Sequence, residues 1–129
     1  MRLLLDTHIW LWSLLEPERL GKITLRELSN LENERWLSPI SAWEALLLHE
    51  KGKVDLGEDA SQWIERASAG VLEAPLTHEI AVAAYGLSFL HADPADRFLA
   101  ATAKVLGLTL VTADRKLLGL GEIATLANR

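Results

Sequence analysis

The run Leu3-Leu4-Leu5-Asp6-Thr7-His8 places a carboxylate directly after three apolar residues and at the start of a helical pattern. In the segment from Thr7 to Leu15, apolar residues recur at a spacing that puts them on one face of a helix. The chain therefore begins with a strand followed by a helix. Asp6 occupies the junction between the two elements.

The same alternation of strands and helices continues to the end of the chain. Helices are predicted over 24–31, 60–69 and 77–90, and from Ser41 to a stop at Gly52 and from Asp93 to a stop at Gly107. Further strands are predicted around Trp36-Leu37 and Val71-Leu72, over 108–111, and at a final edge over 123–126. Strands separated by helices favour parallel pairing, so we predict a three-layer α/β/α sandwich with a mainly parallel sheet.

Length and composition indicate one globular domain covering residues 1–129. Half of the residues are apolar and 24% are charged, a balance typical of a compact fold. The chain contains no cysteine, which excludes disulfides and thiolate metal sites and makes the cytoplasm the expected location. Neither a signal-peptide core nor an apolar run of about eighteen residues occurs, so we expect no membrane insertion.

The formal net charge of −5 argues against a broad basic surface that grips nucleic acid through its phosphates. An RNA ligand then requires local positive charge. Three sources stay open: bound cations, a partner chain, or the side chains of Arg97, Arg115 and Lys116.

Four acidic residues lie where a strand or loop leads into a predicted helix: Asp6, Glu44, Asp96 and Asp114. Each has an ordinary explanation as a helix cap or first-turn acid, because such acids satisfy free backbone N–H groups. The segments Ser41-x-x-Glu44 and Thr24-x-x-Glu27 have capping-box spacing, and Asp93 is placed to cap the helix before Pro94. Capping does not explain why all four junctions fall on one edge of a parallel sheet, where sites of α/β folds form.

Carboxylates gathered at one edge need a counter-charge. Two of them about 5 Å apart repel by roughly 3 kcal/mol at an effective dielectric constant near 20. A divalent cation relieves this repulsion, and ligands that are all oxygen suit Mg²⁺ or Mn²⁺ better than Zn²⁺. Hydrolysis of a phosphodiester is the natural chemistry of such a site.

The motifs Leu5-Asp6-Thr7-His8, Ser41-x-x-Glu44, Asp93-Pro-Ala-Asp96-Arg97 and Thr112-Ala-Asp114 occur in the order found in PIN-domain proteins. The chain most closely resembles the VapC-like toxins of prokaryotic toxin–antitoxin pairs. The resemblance covers nearly the whole chain, and it implies a Rossmann-like fold and a Mg²⁺- or Mn²⁺-dependent endoribonuclease. It also implies a cognate antitoxin as partner and a homodimer as the usual state.

Carried over residue by residue, the resemblance assigns the acidic quartet to Asp6, Glu44, Asp96 and Asp114. It gives accessory positions to Thr7, Asp93 and Thr112. Arg97 is interpreted as a phosphate ligand, as a brace for a carboxylate, or as part of a solvated face.

Two other groups of residues allow more than one interpretation. His8 is either structural or a base or ligand beside Asp6, and the other histidines, His49, His78 and His91, show no ligand spacing. Trp10, Trp12 and Trp43 lie near acids in the sequence, where core or interface packing is the commoner role and base stacking the rarer one.

Two rival functions are considered. A metal-dependent phosphatase of the aspartate-nucleophile type requires a second aspartate two residues after the first, whereas position 8 is histidine. A binding module that captures RNA or a partner without cutting it keeps the same pocket, so only an assay of cleavage distinguishes it from a nuclease.

Overall fold

The computed structural model describes residues 1–87 and 93–129. In this part of the chain the strands are β1 (Arg2–Leu5), β2 (Glu34–Leu37), β3 (Leu72–Glu73), β4 (Thr109–Thr112) and β5 (Ala124–Ala127). The helices are α1 (Thr7–Leu15), α2 (Lys22–Ser29), α3 (Pro39–Glu50), α4 (Ala60–Ser68), α5 (His78–Gly86), α6 (Pro94–Leu106) and α7 (Arg115–Leu118). A 3₁₀ turn covers Pro17–Arg19.

The strands form one sheet in the order β3-β2-β1-β4-β5, and every pairing is parallel. After β1, the chain adds β2 and β3 on one side of that strand, and then adds β4 and β5 on its other side. The direction of winding therefore changes between β1 and β4. Ligands of open α/β sheets bind at such a switch point, beyond the carboxyl ends of the strands.

Side chains of the central strands alternate between two cores, as the period of a β-strand requires. Leu4 and Leu110 lie in one core with residues of α5 and α6, such as Ile80 and Leu99. Leu3, Leu5 and Val111 lie in the other core together with Trp10 of α1 and Ala45 of α3. Helices therefore cover both faces of the sheet, and the predicted three-layer α/β/α architecture is confirmed.

Most predicted elements agree with the structure to within three residues at each end. Two features differ. The second helix begins at Lys22 after Gly21, so Thr24 lies inside it and the Thr24-Glu27 capping box is wrong. The helix predicted over 77–90 is described as His78–Gly86; Leu90, and the predicted junction at His91-Ala92, lie outside the described residues.

Within residues 1–87 and 93–129, none of the helices has the length and apolar character needed to cross a bilayer.

Candidate active site

Asp6 lies at the point where β1 leaves the sheet. Its backbone N–H still donates to the carbonyl of Val111 (3.0 Å), which places Asp6 beside Thr112 at the end of β4. The Thr112 hydroxyl donates to Asp6 Oδ2 at 2.6 Å. Asp6 holds the N-cap position of α1, but its side chain accepts no capping hydrogen bond from that helix. The carboxylate is only 8% exposed, so capping does not explain why an acid is buried here.

Glu44 reaches the same edge from the second turn of α3. The hydroxyl of Thr7 donates to Glu44 Oε1 at 2.6 Å and lies 2.9 Å from Ser41 Oγ. The predicted Ser41-x-x-Glu44 capping box is wrong, because the helix begins two residues earlier, at Pro39. Ser38 is its cap, and the Ser38 hydroxyl accepts a hydrogen bond from the backbone N–H of Ile40.

Two of the acids do act as helix caps. Asp93 Oδ1 accepts from the backbone N–H of Asp96 at 2.9 Å, as predicted for the residue before Pro94. Asp114 Oδ1 accepts from the backbone N–H of Lys116 at 2.8 Å. The backbone N–H of Asp114 in turn donates to the Thr112 hydroxyl at 3.0 Å, which links this loop to the Asp6 side chain.

These elements enclose a cleft of about 410 Å³. The residues that line it are Asp6, His8, Trp12, Glu44, Asp93, Asp96, Ala113 and Asp114. All four acids assigned to the quartet, and Asp93 with them, therefore border one open space. Their convergence was expected from the parallel topology.

Three carboxylates in the cleft, those of Asp6, Glu44 and Asp96, are harder to ionise than free ones. Burial raises the pKa of the Asp6 and Glu44 carboxyls, although hydrogen bonds from Thr112 and Thr7 oppose the shift. Burial, and then the charges of Asp93, Asp6, Asp114 and Glu44, raise the pKa of Asp96 from 3.8 to about 7. The cleft therefore concentrates negative charge.

The chemistry of the donor set fits a divalent cation. The ligands available to a metal are carboxylate oxygens, and His8 is the one nitrogen donor in the lining of the cleft. Among the described residues, no group of three acids or histidines is already gathered as a coordination shell. The acids thus share a space without meeting at ligand distance, as expected for like charges that repel each other.

A sequence model of the PIN domain family matches residues 3–123, which is most of the chain. This protein belongs to the PIN domain family. The chain is also 33% identical over 115 residues to Ribonuclease VapC22 of Mycobacterium tuberculosis, and the alignment covers 88% of each protein.

Solved structures of the same fold include a toxin–antitoxin complex from Klebsiella pneumoniae, with a TM-score of 0.70 and 17% identity over 98% of this chain and 97% of that one. This PIN domain superposes with a TM-score of 0.75 and 18% identity on a chain of DNA-bound VapBC from Salmonella typhimurium, covering 100% of this chain and 99% of that one. The likeness to FitAcB from Neisseria gonorrhoeae has a TM-score of 0.63 at 29% identity and covers 96% of both chains.

The predicted accessory residues separate into two groups. Thr7 and Thr112 hold Glu44 and Asp6 by hydrogen bonds, and Asp93 lines the cleft of this PIN domain. Arg97 lies elsewhere: its Nη1 donates to the Ala84 carbonyl at 3.0 Å, and it lines the groove between α5 and α6.

The sequence assigned Ser41 only to a helix start and a capping box, and it ranked base stacking by the tryptophans low. Ser41 is fully buried and contacts the Thr7 hydroxyl, a contact across 34 residues that spacing along the chain does not reveal. Trp12 lines the cleft, whereas Trp10 is buried in the core. A usable signal for Trp12 was its position four residues after His8, which places both rings on one face of α1.

Proposed function

We propose that residues 1–129 act as one PIN domain that cleaves RNA in the cytoplasm as a Mg²⁺- or Mn²⁺-dependent endoribonuclease toxin. Its catalytic residues are Asp6, Glu44, Asp96 and Asp114. The observation that carries this proposal is the buried Asp6 carboxylate, which Thr112 holds in a cleft shared with the other three acids. Membership of the PIN family and similarity to a protein named as a ribonuclease support it.

The four acids would hold the cation through their carboxylate oxygens. When bound, Mg²⁺ or Mn²⁺ polarises phosphoryl oxygens and lowers the pKa of a coordinated water, which is the chemistry that phosphodiester hydrolysis requires. The raised pKa of Asp96 supports this assignment, because burial and then the charges of the neighbouring carboxylates disfavour its ionised form, and a bound cation would stabilise that form.

Hydrogen bonds within the chain orient two of the acidic side chains. Thr112 fixes one oxygen of Asp6, and Thr7 fixes one oxygen of Glu44, so each acid presents a defined direction to the cleft. Hydrogen bonds to the side chains that hold a metal affect the metal affinity of the site and its geometry. Asp114 combines two tasks, because its side chain caps α7 through Oδ1 and also borders the cleft.

Two partners belong to the proposal. The first is a cognate antitoxin, which the toxin–antitoxin complex among the similar structures supports. The second is another copy of this chain. On α5, Val82 is 72% exposed and Tyr85 is 89% exposed, and large exposed apolar side chains of this kind are typical of association surfaces.

The direct test is cleavage of a mixed pool of single-stranded and structured RNA by purified protein, with Mg²⁺, with Mn²⁺ and with a chelator. We expect cut fragments with either metal and intact RNA with the chelator. The Asp6→Asn variant should be inactive in all three conditions while keeping its circular dichroism spectrum. RNA that is bound but never cut by folded, metal-loaded protein would instead identify a binding module.

A further inference from the structure

Aromatic side chains form one flank of the acidic cleft. His8 and Trp12 both line it, with their ring centroids 5.8 Å apart and the rings tilted by 55°. They are four residues apart on α1 and so share a helix face. The guanidinium carbon of Arg19 lies over Trp12, 4.5 Å from the ring centroid. We call His8, Trp12 and Arg19 the stacking wall.

The position of Arg19 is fixed by contacts from the far end of the chain. Asn128 follows β5, and its Nδ2 donates to the Arg19 carbonyl at 3.0 Å. The Oδ1 of the same residue accepts from the backbone N–H of Gly21 at 2.9 Å. These two hydrogen bonds hold the backbone of the turn that contains Arg19 against the residue that follows β5. A surface held in place before a ligand arrives loses less entropy on binding.

The charge of the protein favours a nucleobase as the ligand of this wall. The chain has a net charge of −5, and its cleft is acidic, so phosphates gain little from the surface as a whole. Base stacking on aromatic rings and on arginine planes does not depend on neutralising phosphates. Arg19, which pairs with Glu16 at 3.5 Å, places a positive charge at the Trp12 ring, where it attracts the phosphate next to a stacked base.

We propose, given the ribonuclease activity proposed above, that an unpaired nucleobase adjacent to the scissile phosphate packs on the stacking wall. His8 and Trp12 are then specificity-determining residues, which bind the base and set the position of the phosphate between the acids. Arg19 lies over one face of the Trp12 ring and positions it. A base inside a duplex is covered on both faces by the bases stacked above and below it. The wall therefore selects unpaired nucleotides, which can present a free face.

Trp12 also packs against the core beneath α1, so a change in stability has to be separated from a change in binding. The chain offers a matched control. Trp36 is likewise half-buried against a core and has Arg2 over its ring at 5.2 Å. Among the described residues, the lining of the cleft includes Trp12 and not Trp36.

The experiment measures binding by fluorescence anisotropy in the Asp6→Asn background, in a buffer with chelator, so that the RNA stays intact. Two probes are compared: a short single-stranded RNA of mixed sequence, and an abasic ribose-phosphate strand of the same length and charge. Trp12→Leu should weaken binding of the base-carrying strand by roughly 5- to 150-fold, the usual range for one stacked base. Binding of the abasic strand should not change.

Trp36→Leu should leave the affinities for both probes as they are. His8→Ala provides a second variant, since His8 is exposed and its removal does not depend on the core. His8→Ala should weaken binding of the base-carrying strand only. The test therefore stays decisive even if Trp12→Leu does not fold.

Base stacking on the wall would be contradicted by an equal loss of affinity for both probes, or by the same loss in Trp36→Leu. It would also be contradicted if neither Trp12→Leu nor His8→Ala lost affinity. A failure of the nuclease proposal looks different. In that case wild-type protein loaded with Mg²⁺ or Mn²⁺ leaves RNA uncut, whatever the binding experiment shows.

Discussion

The hydroxyl of Thr112 donates a 2.6 Å hydrogen bond to Oδ2 of Asp6, and both residues are buried where two parallel strands end side by side. This bond joins the first and fourth strands at the point where the direction of winding changes. It stabilises the ionised form of a carboxylate that burial disfavours. The bond therefore opposes the rise in the pKa of Asp6 that burial causes.

Replacing Thr112 with valine tests this role, because valine keeps the shape of threonine and removes the hydroxyl. We expect Thr112→Val to lower the rate of RNA cleavage by about 10- to 100-fold, the usual effect of removing a hydrogen bond to a metal ligand. Thr102→Val is the matched control. Thr102 is also fully buried and donates at 2.6 Å, but to the Phe98 carbonyl within α6.

The two valine variants should lose similar thermal stability, measured as Tm, whereas only Thr112→Val should lose activity. Equal activity in both variants would show that the Thr112 hydroxyl serves the fold and not the site.

Thr7 is expected to hold Glu44 as Thr112 holds Asp6. Thr7→Val removes the 2.6 Å bond to Glu44 Oε1 and should reduce kcat, while Thr7→Ser keeps the hydroxyl and should restore most of it. Steady-state cleavage of a labelled RNA measures both variants. If serine and valine give the same loss, the methyl group of Thr7 matters and its hydroxyl does not.

The stability of the metal-free protein should fall as pH rises, owing to Asp96. Its pKa is about 7 in the folded protein against an ordinary 3.8, so between these values the folded state binds more protons than the unfolded state. Stability is then greatest at the acidic end of this window and declines towards pH 7, since it decreases with pH wherever the folded state holds more protons.

The comparison that isolates this effect is the difference in Tm between wild type and Asp96→Asn, measured with chelator from pH 5 to 8. Asparagine has no charge to desolvate. The Tm of the variant minus the Tm of wild type should therefore increase as the pH rises. A difference that stays constant across the range contradicts a raised pKa at Asp96.

The exposed apolar residues of α5 should mediate self-association. A double variant, Val82→Asp with Tyr85→Asp, should shift the mass measured by light scattering from that of a dimer to that of a monomer, because charges are costly inside an apolar interface. Leu31→Asp is the control, since Leu31 is fully exposed but lies in the loop between α2 and β2. A wild-type protein that is already monomeric contradicts the proposed dimer.

The sequence predicted the fold well because its strongest signals are local. The apolar run Leu3-Leu4-Leu5 ends at Asp6, and α1 follows over the predicted residues. Helix starts were harder to place. Ser38 before Pro39 is a good cap, but the serine and glutamate at positions 41 and 44 imitate a capping box one turn further on.

The sequence predicted that the four acids converge at one edge of the sheet, but not the contacts that their side chains make. Parallel topology alone brings the ends of β1 and β4 together, so the convergence of Asp6 and Asp114 follows from the order of elements. The bond between Thr7 and Glu44 depends on how α1 packs on α3, across 37 residues of sequence. The hydrogen bond from Arg97 to the Ala84 carbonyl on α5 likewise depends on packing.

We propose that four acids from distant parts of the chain hold a divalent cation together. Mn²⁺ binding tests this proposal, and it is measured by the loss of the free-ion signal in electron paramagnetic resonance. Asp6→Asn, Glu44→Gln, Asp96→Asn and Asp114→Asn should each weaken binding at least about tenfold, since each removes a charged ligand.

Asp59→Asn is the control for this measurement, because Asp59 caps α4 as Asp114 caps α7 and asparagine caps a helix about as well. It should bind Mn²⁺ as the wild type does. Wild-type protein that binds no Mn²⁺ at millimolar concentration, or quartet variants that bind it as well as Asp59→Asn does, would contradict the shared site.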